Sequence, residues 1–399
     1  MQKHSRQPKV HRFAPEIIAR VRRCFQTDNW HGVLELIEDW SVITCATAIS
    51  LYAWRHLSIF WGIPLYALAA FLIGGRQRGL ADVLHQASHR TLVKSPTFGV
   101  VLGTVFSGYP LLQSFSGYFS SHVVFHHHYL GDPELDPDYA EYRRRGLCGS
   151  NLSRRVLTRY LVRLIGLRSV VGYIHYLLRN RIVSQQEKKL ERLVRAIYTL
   201  GVLGICIWHG WLAILLMYWL IPLFTTHAWI GAFIELLEHY PLIETAPLID
   251  IYLSRNRECG KLGNFILGIQ SQEGYHLVHH RFPQVPRWRQ REVHNILMND
   301  PEYAALHRTK GWANILREMF REIPPEMPSV APTLNTEASG FQRESIEESD
   351  AALKQALGES WPAQKSVTAA LPTRNADMRI TGLPRRHEAR GSSHSAVAR

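Results

Sequence analysis

Three groups of histidine dominate the chemistry available to this chain: HQASH (His85, His89), HVVFHHH (His122, His126, His127, His128) and HLVHH (His276, His279, His280). Neutral imidazole is a common metal ligand. Two rings at i, i+4 on a helix project from one face and can reach a common metal. That pair alone is weak evidence, because many solvated helix faces carry two histidines four apart. In the second group, His122 and His126 are expected to share a helix face, with His127 about 100° round it, so that two metals are addressed at once. His128 is an extra. In the third, spacings of i, i+3 and i+4 put three rings on adjoining faces. With 21 histidines in 399 residues, an H-x-x-H-H pattern arises by accident in roughly one such chain in twenty. Two triple clusters and a pair in one chain make accident a poor account.

These eight imidazoles exceed the three or four ligands of one zinc. Imidazole suits Fe, Zn, Cu and Ni, so ligand type alone leaves the metal open. Divided over two metals, the nitrogens leave open positions of the kind dioxygen needs. Two irons, served by an outside electron donor, suit the multi-electron reduction of dioxygen better than one.

The elements that must position these groups are apolar. From Ser41 to Leu57 and on to Gly75 only Arg55 and His56 interrupt the run, which predicts a hairpin of membrane-crossing helices turning near Arg55. A second apolar stretch, Leu193 to Ile234, has His209-Gly210 as its turn signal and predicts a second hairpin. Lys and Arg crowd every flank except the two turns. By the positive-inside rule the turns lie outside, and all three histidine groups lie on the cytoplasmic side, at the inner membrane if the chain is bacterial. The expected fold is all-α and integral to the membrane, with about four transmembrane helices in two hairpins.

Residues 95 to 118 are apolar but broken by Gly and Pro, as in a re-entrant or interfacial segment. Residues 153 to 192 mix Arg and Lys with Leu, Ile and Val, as helices lying on an anionic membrane surface do. The chain divides into a basic cytoplasmic arm with surface helices (1–40), a membrane domain (41–322) and a tail of disordered composition (323–399). Lys plus Arg is 46 against 33 for Asp plus Glu, a net charge of +13, and with no nucleic-acid motif present the membrane, not nucleic acid, is the expected partner. The five cysteines are scattered, with no disulfide, iron–sulfur or zinc-ribbon spacing. No apolar core of a signal peptide stands in the first 30 residues.

The order H-x-x-x-H, H-x-x-x-H-H, H-x-x-H-H resembles the membrane fatty acid desaturase superfamily, which also contains hydroxylases and carotenoid oxygenases. HQASHRTLVKS is similar to that family's first box and its tail, DPELDPD to the acidic follower of the second, and YHLVHHRFPQVP to the third. The resemblance implies a cytoplasmic helical cap holding a di-iron site, with dioxygen as co-substrate. It implies His85, His89, His122, His126, His127, His276, His279 and His280 as ligands, and a ninth, His239, from Glu238-His239-Tyr240; His227 is a weaker competitor. Asp136, Asp138 and Glu238 would hold imidazoles through their outer N–H, the alternative being plain solvated turn carboxylates. Gly274 stands where relatives carry Asn before the Tyr; if that Asn supports the iron site in them, Gln272 and Asn264 are the candidates for that support here.

The implied reaction is oxygen-dependent desaturation of an acyl chain or lipid. The alternative is C–H oxygenation of a lipid or other small molecule by a hydroxylase of the same fold, since membrane alkane hydroxylases share the second-box spacing. A non-catalytic metal-binding or structural protein is disfavoured by the number and order of the boxes. With no HPGG motif, ferredoxin cysteines or nicotinamide fingerprint in the chain, electrons would come from a ferredoxin or similar small acidic protein on the basic face.

Overall fold

The computed structural model describes residues 8–148, 153–164, 166–179, 187–258, 260–269, 272–306 and 311–322. The tail expected to be disordered, residues 323–399, lies outside the described residues, as does Cys259. Among the described residues the fold is helical, without a strand; one parallel bridge joins Lys9 to Ile249.

Helix α1 (Pro15–Arg22) is followed by α2 (His31–His56) and α3 (Ile59–Ser88), which form a hairpin turning at residues 57 and 58, close to the expected turn. Helix α2 starts well before the apolar run because its polar residues find partners on α3. Arg76, fully buried, donates to Glu38 at 2.8 Å and to Asp39 at 3.2 Å, and Gln86 donates to Glu35 at 2.7 Å. A hydrogen-bonded pair of this kind is what makes a buried charge tolerable.

Helix α4 (Pro96–Gly103), capped by Ser95, loosens into a wider winding at Thr104–Gly108 and stops, too short to cross a bilayer. Helix α5 (Phe115–Tyr118) runs into a second such stretch, Phe119–His126. Then come α6 (Pro137–Arg144), α7 (Arg154–Leu164), α8 (Leu167–Leu177) and α9 (Lys189–Trp208). A long helical run, α10 (Leu212–Thr245), contains the segment Thr226–His239. Five short helices complete the chain: α11 (Gly260–Ile266), α12 (His276–Arg281), α13 (Gln290–Leu297), α14 (Pro301–Leu306) and α15 (Trp312–Glu322).

Two of these helices, α3 and α10, are long and apolar enough to cross a membrane, half the number expected. Their hairpin partners differ for a physical reason: α9 opens with Lys189, Glu191, Arg192 and Arg195, and α2 carries Glu35, Glu38 and Asp39. Large apolar side chains nevertheless stay bare on both pairs, including Ile49, Phe60 and Trp61 on the first and Leu200, Ile205 and Trp208 on the second. Apolar belts of this extent need a covering phase. With the two long apolar helices they mark a membrane protein.

Two segments differ from expectation because protein covers them. On α7 the apolar face (Leu157, Tyr160, Leu164) is buried against Leu236, Leu237 and Tyr240 of α10 and Ile315 and Met319 of α15, where a membrane surface was expected. In the N-terminal arm, Phe13, Ile17, Val21 and Cys24 pack on Leu277, Val278 and Phe282 of the third histidine segment and on Val293 and Leu297 of α13. Each such side chain contributes about 1.5–3 kcal/mol by burial. The basic residues Arg20, Arg22 and Arg23 stay outside.

Candidate metal centre

Helix α3 places the first pair. His85 lies in its last turn and His89 caps its end, the His89 N–H donating to the His85 carbonyl at 3.2 Å. The next residue, Arg90, turns the chain away at φ +59°. The two ring centroids stand 4.9 Å apart, edge to face.

The second group departs from the expected α-helical geometry. Residues 119–126 are wound more widely, and the His127 N–H donates to the carbonyl of His122, five residues back, at 3.0 Å. Such i→i+5 turns occur often at functional sites. The wider turn brings His127 into line with His122, their Nε2 atoms 3.2 Å apart, while the His126 ring stacks on His122 with centroids 5.1 Å apart and is shared with His239 and His280.

The third segment divides likewise. His279 reaches His85 (Nε2 to Nε2, 2.8 Å) and His127 (3.0 Å). His276 meets His239 at 3.0 Å, and the His280 ring lies 4.8 Å from that of His239. The rings therefore fall into two adjoining groups, with ligand atoms within 4.8 Å in each set. One is His85, His89, His122, His127 and His279. The other joins His126, His239 and His280, with His276 against His239. His128 and His227 enter neither group: His128 Nδ1 donates to the Val123 carbonyl at 2.9 Å, and His227 Nε2 is 2.7 Å from the Tyr173 hydroxyl.

The outer nitrogens decide what the inner ones can do. His85 Nδ1 is 3.0 Å from Asp82, His126 Nδ1 is 3.1 Å from Asp136 and 3.5 Å from Asp138, and His276 Nδ1 is 3.3 Å from Glu238. His239 Nδ1 donates to the Leu253 carbonyl at 3.2 Å. The Leu253 carbonyl assigns the His239 ring proton to Nδ1, and the carboxylates favour the same placement in His85 and His276, which leaves Nε2 a lone pair for a metal; His126, held up by Asp136, must give up its second proton for a metal to bind. The Nε2 atoms of His239 and His276 face each other at 3.0 Å, a spacing that an N–H···N hydrogen bond and a shared cation both fit. Imidazole nitrogens about 2.1 Å from one ion and about 90° apart are themselves about 3 Å apart. The buried Nε2 atoms of His89 and His280 also lack a hydrogen-bond partner. The donor set fits metal ions.

Burial pushes His89, His122, His127, His276, His279 and His280 well below the usual imidazole value, so these rings are neutral and their lone pairs available. For His126 burial pushes down, but Asp136 and then Asp138 outweigh it and hold the ring up at about 9.

The carboxylates read from the sequence serve as turn and brace together. Asp136 caps α6, accepting from the N–H groups of Asp138 and Tyr139, and also takes the Nδ1 proton of His126. Asp138 accepts from the Tyr176 hydroxyl at 2.8 Å. Glu238 accepts from Arg257 Nε at 2.7 Å.

Sequence reasoning missed Asp82, although its place three residues before His85 on one helix was a usable signal. It also missed Glu273, which Arg78 grips through both oxygens and Arg257 joins at 2.7 Å. Burial pushes the Glu273 carboxyl up, yet Arg78 and Arg257 prevail and hold it at about 2. No local pattern points to this pairing, since its partners are 195 and 16 residues away.

Gln272 stands apart from the rings and accepts from the Arg291 N–H at 2.7 Å; Asn264 Oδ1 is buried without a partner. Gly274 has its own reason: a Cβ there would lie 2.3 Å from the Arg257 carbonyl oxygen, and the Arg257 N–H donates to the Gly274 carbonyl at 2.6 Å. The position is reserved for glycine by the backbone that carries Arg257 to Glu238 and Glu273.

A cavity of about 220 Å³ opens on the histidines, reaching His85, His122, His126, His239, His276 and His279.

The chain belongs to the fatty acid desaturase family, whose model matches residues 61–312, and it is an oxidoreductase. It is similar to dihydrorhizobitoxine desaturase of Bradyrhizobium elkanii, 34% identical over 331 residues that cover 81% of this chain and 90% of that protein. It is also similar to sphingolipid delta(4)-desaturase of Candida albicans, 25% identical over 288 residues covering 66% and 70% of the two chains.

Proposed function

We propose that this chain is an oxygen-dependent membrane desaturase that holds two iron ions and introduces a double bond into an acyl chain or lipid. The observation that carries the reading is the grouping of nine imidazoles into two adjoining sets with inner nitrogens turned on one another. His85, His89, His122, His127 and His279 would hold one ion, and His126, His239, His276 and His280 the other. Bound there, iron supplies the oxidising power that dioxygen needs to attack an unactivated C–H bond.

The chain's own residues do the rest. Asp82, Asp136 and Glu238 keep the Nδ1 protons in place and so fix which nitrogen each ring offers. The neutral rings carry no charge, so the carboxylates around them offset the charge of the metals. The arginine clamp on Glu273 ties α3 to the third histidine segment. In the overall balance the substrate loses two hydrogens, and one dioxygen with two electrons and two protons from a separate reductant yields two waters. A ferredoxin or similar acidic protein on the basic face is the donor we expect.

The two hairpins α2–α3 and α9–α10 would cross the membrane as four helices, with the remaining helices as a cap over the metals on the cytoplasmic side. The apolar belts on both hairpins support this topology, and residues 41–322 would form the membrane catalytic domain.

Product analysis with purified, iron-loaded chain, an electron donor and candidate lipids tests the reaction. Loss of two hydrogens coupled to oxygen consumption is expected. Gain of one oxygen atom instead would make the enzyme a hydroxylase of the same fold. Comparing the lipids of a host with and without the gene narrows the candidates.

A further inference from the structure

The cavity beside the histidines carries charged and hydroxyl groups among apolar surface such as Ala232 and Ile234. Nearly every charged side chain on the wall is paired: Arg78 with Glu273, Asp82 with Arg287, Glu141 with Arg145, Glu238 with Arg257, and Asp138 with His126 and the Tyr176 hydroxyl. The exception among the described residues is Glu235, for which the structure gives no hydrogen bond or ion pair. A buried polar group on the same wall, the Tyr142 hydroxyl, also lacks a partner.

His227, Gly231 and Glu235 recur at i, i+4 and i+8 along one face of the segment Thr226–His239, and all three line the cavity. A Cβ at Gly231 would meet nothing within 4 Å, so the glycine leaves space that the chain itself does not fill. The helix therefore presents a carboxylate at one end of an open trough, in the direction of His239. Glu235 is half-buried on the cavity wall beside the carboxylates of Asp138, Glu238 and Asp136, with His126 opposing them, and this excess of negative charge favours a cation there.

We infer that the cavity receives the polar end of an alkyl amine, its ammonium group paired with Glu235 and its adjoining carbons carried to the histidine groups. This rests on the desaturase reading and narrows it: the substrate class is an alkyl chain bearing a cationic amine close to the carbons that are dehydrogenated. A chain ending in a carboxylate would meet Glu235 and Asp138 with like charge. The volume of about 220 Å³ is below the roughly 300–1,000 Å³ of drug-sized ligand sites, which suits a short polar end and excludes a long tail folded within. The Tyr142 hydroxyl is available to donate to an oxygen on the same end.

Calorimetric titration of the full-length, metal-loaded protein in lipid nanodiscs tests the inference, with hexylamine and hexanoate as probes and metal content measured on every sample. Wild type is expected to bind hexylamine in preference to hexanoate. Glu235→Gln should weaken hexylamine about ten- to hundredfold with its metal retained, the effect expected for a lost charge-assisted contact. Gly231→Leu, which fills the trough and leaves the carboxylate in place, should weaken it as well and serves if Glu235→Gln does not fold. Equal affinity for the two probes in wild type would overturn the inference. So would unchanged hexylamine affinity in Glu235→Gln; if that variant also lost metal, Glu235 would belong to the charge balance of the metals. Hexylamine binding by a chain that holds no iron and dehydrogenates nothing would uphold the amine site and count against the desaturase reading alone.

Discussion

His239 and His276 meet Nε2 to Nε2 at 3.0 Å, while their Nδ1 atoms face the Leu253 carbonyl and the Glu238 carboxylate. The two residues come from different helices, 37 positions apart. A cation shared by the two rings accounts for that distance with both outer nitrogens occupied. His239→Ala should therefore cost the protein iron and abolish turnover while leaving it inserted. His209, exposed at the turn between α9 and α10 and stacked on Trp211, is the matched control, and His209→Ala should keep both. Metal content and turnover of the two variants, side by side, check this; full iron in His239→Ala would remove that ring from the centre.

Asp136 separates bracing from capping. Asn caps a helix about as well as Asp does, so Asp136→Asn should leave α6 and the melting temperature close to wild type. It should lower metal affinity about 10- to 100-fold, because the amide oxygen that replaces the carboxylate accepts from His126 without the negative charge that holds the ring. A competition titration with a chelator reads the affinity, and unaltered affinity would reduce Asp136 to a turn residue.

Eight ring positions were legible because histidine spacing within the three boxes is local, and His239 came from the family resemblance alone; the fold gathers all nine. Their partition was not legible. It depends on the wide winding of residues 119–126, which aligns His122 with His127, and no residue type announces that winding. Glu273 was invisible for another reason, since its carboxylate is shared by Arg78 and Arg257, which approach from distant parts of the chain. The hairpin turns followed from hydropathy, but the start of α2 did not, because Arg76 and Gln86 neutralise polar residues that read as the end of a membrane segment.

Gly274→Ala should be destabilising by about 1–3 kcal/mol or more, since the added carbon lies within 2.3 Å of the Arg257 carbonyl oxygen and backbone must move. Gly201→Ala, on α9 with nothing within 4 Å of the new carbon, should be neutral or slightly stabilising, as alanine for glycine within a helix usually is. Thermal unfolding of both in the same detergent compares them. Equal melting temperatures would mean that the backbone around Arg257 yields easily.

Glu273 predicts an acid limb. Its folded carboxyl is held at about 2 against an ordinary 4.5, so its ion pairs contribute in full above about 4.5. That contribution is lost as pH falls from about 4.5 to 2. Between those limits wild type should lose more thermal stability than Glu273→Gln, which has no proton to take up there. Parallel curves for the two proteins across that window would show that the arginines do not depend on this charge.

The measurement that tests the account most directly is iron per chain in protein that is simultaneously shown to dehydrogenate a substrate. About two irons per chain are expected, because the nine imidazoles form two sets and exceed what one ion can use. Active protein holding a single metal ion, or turning over with zinc and no iron, would contradict it.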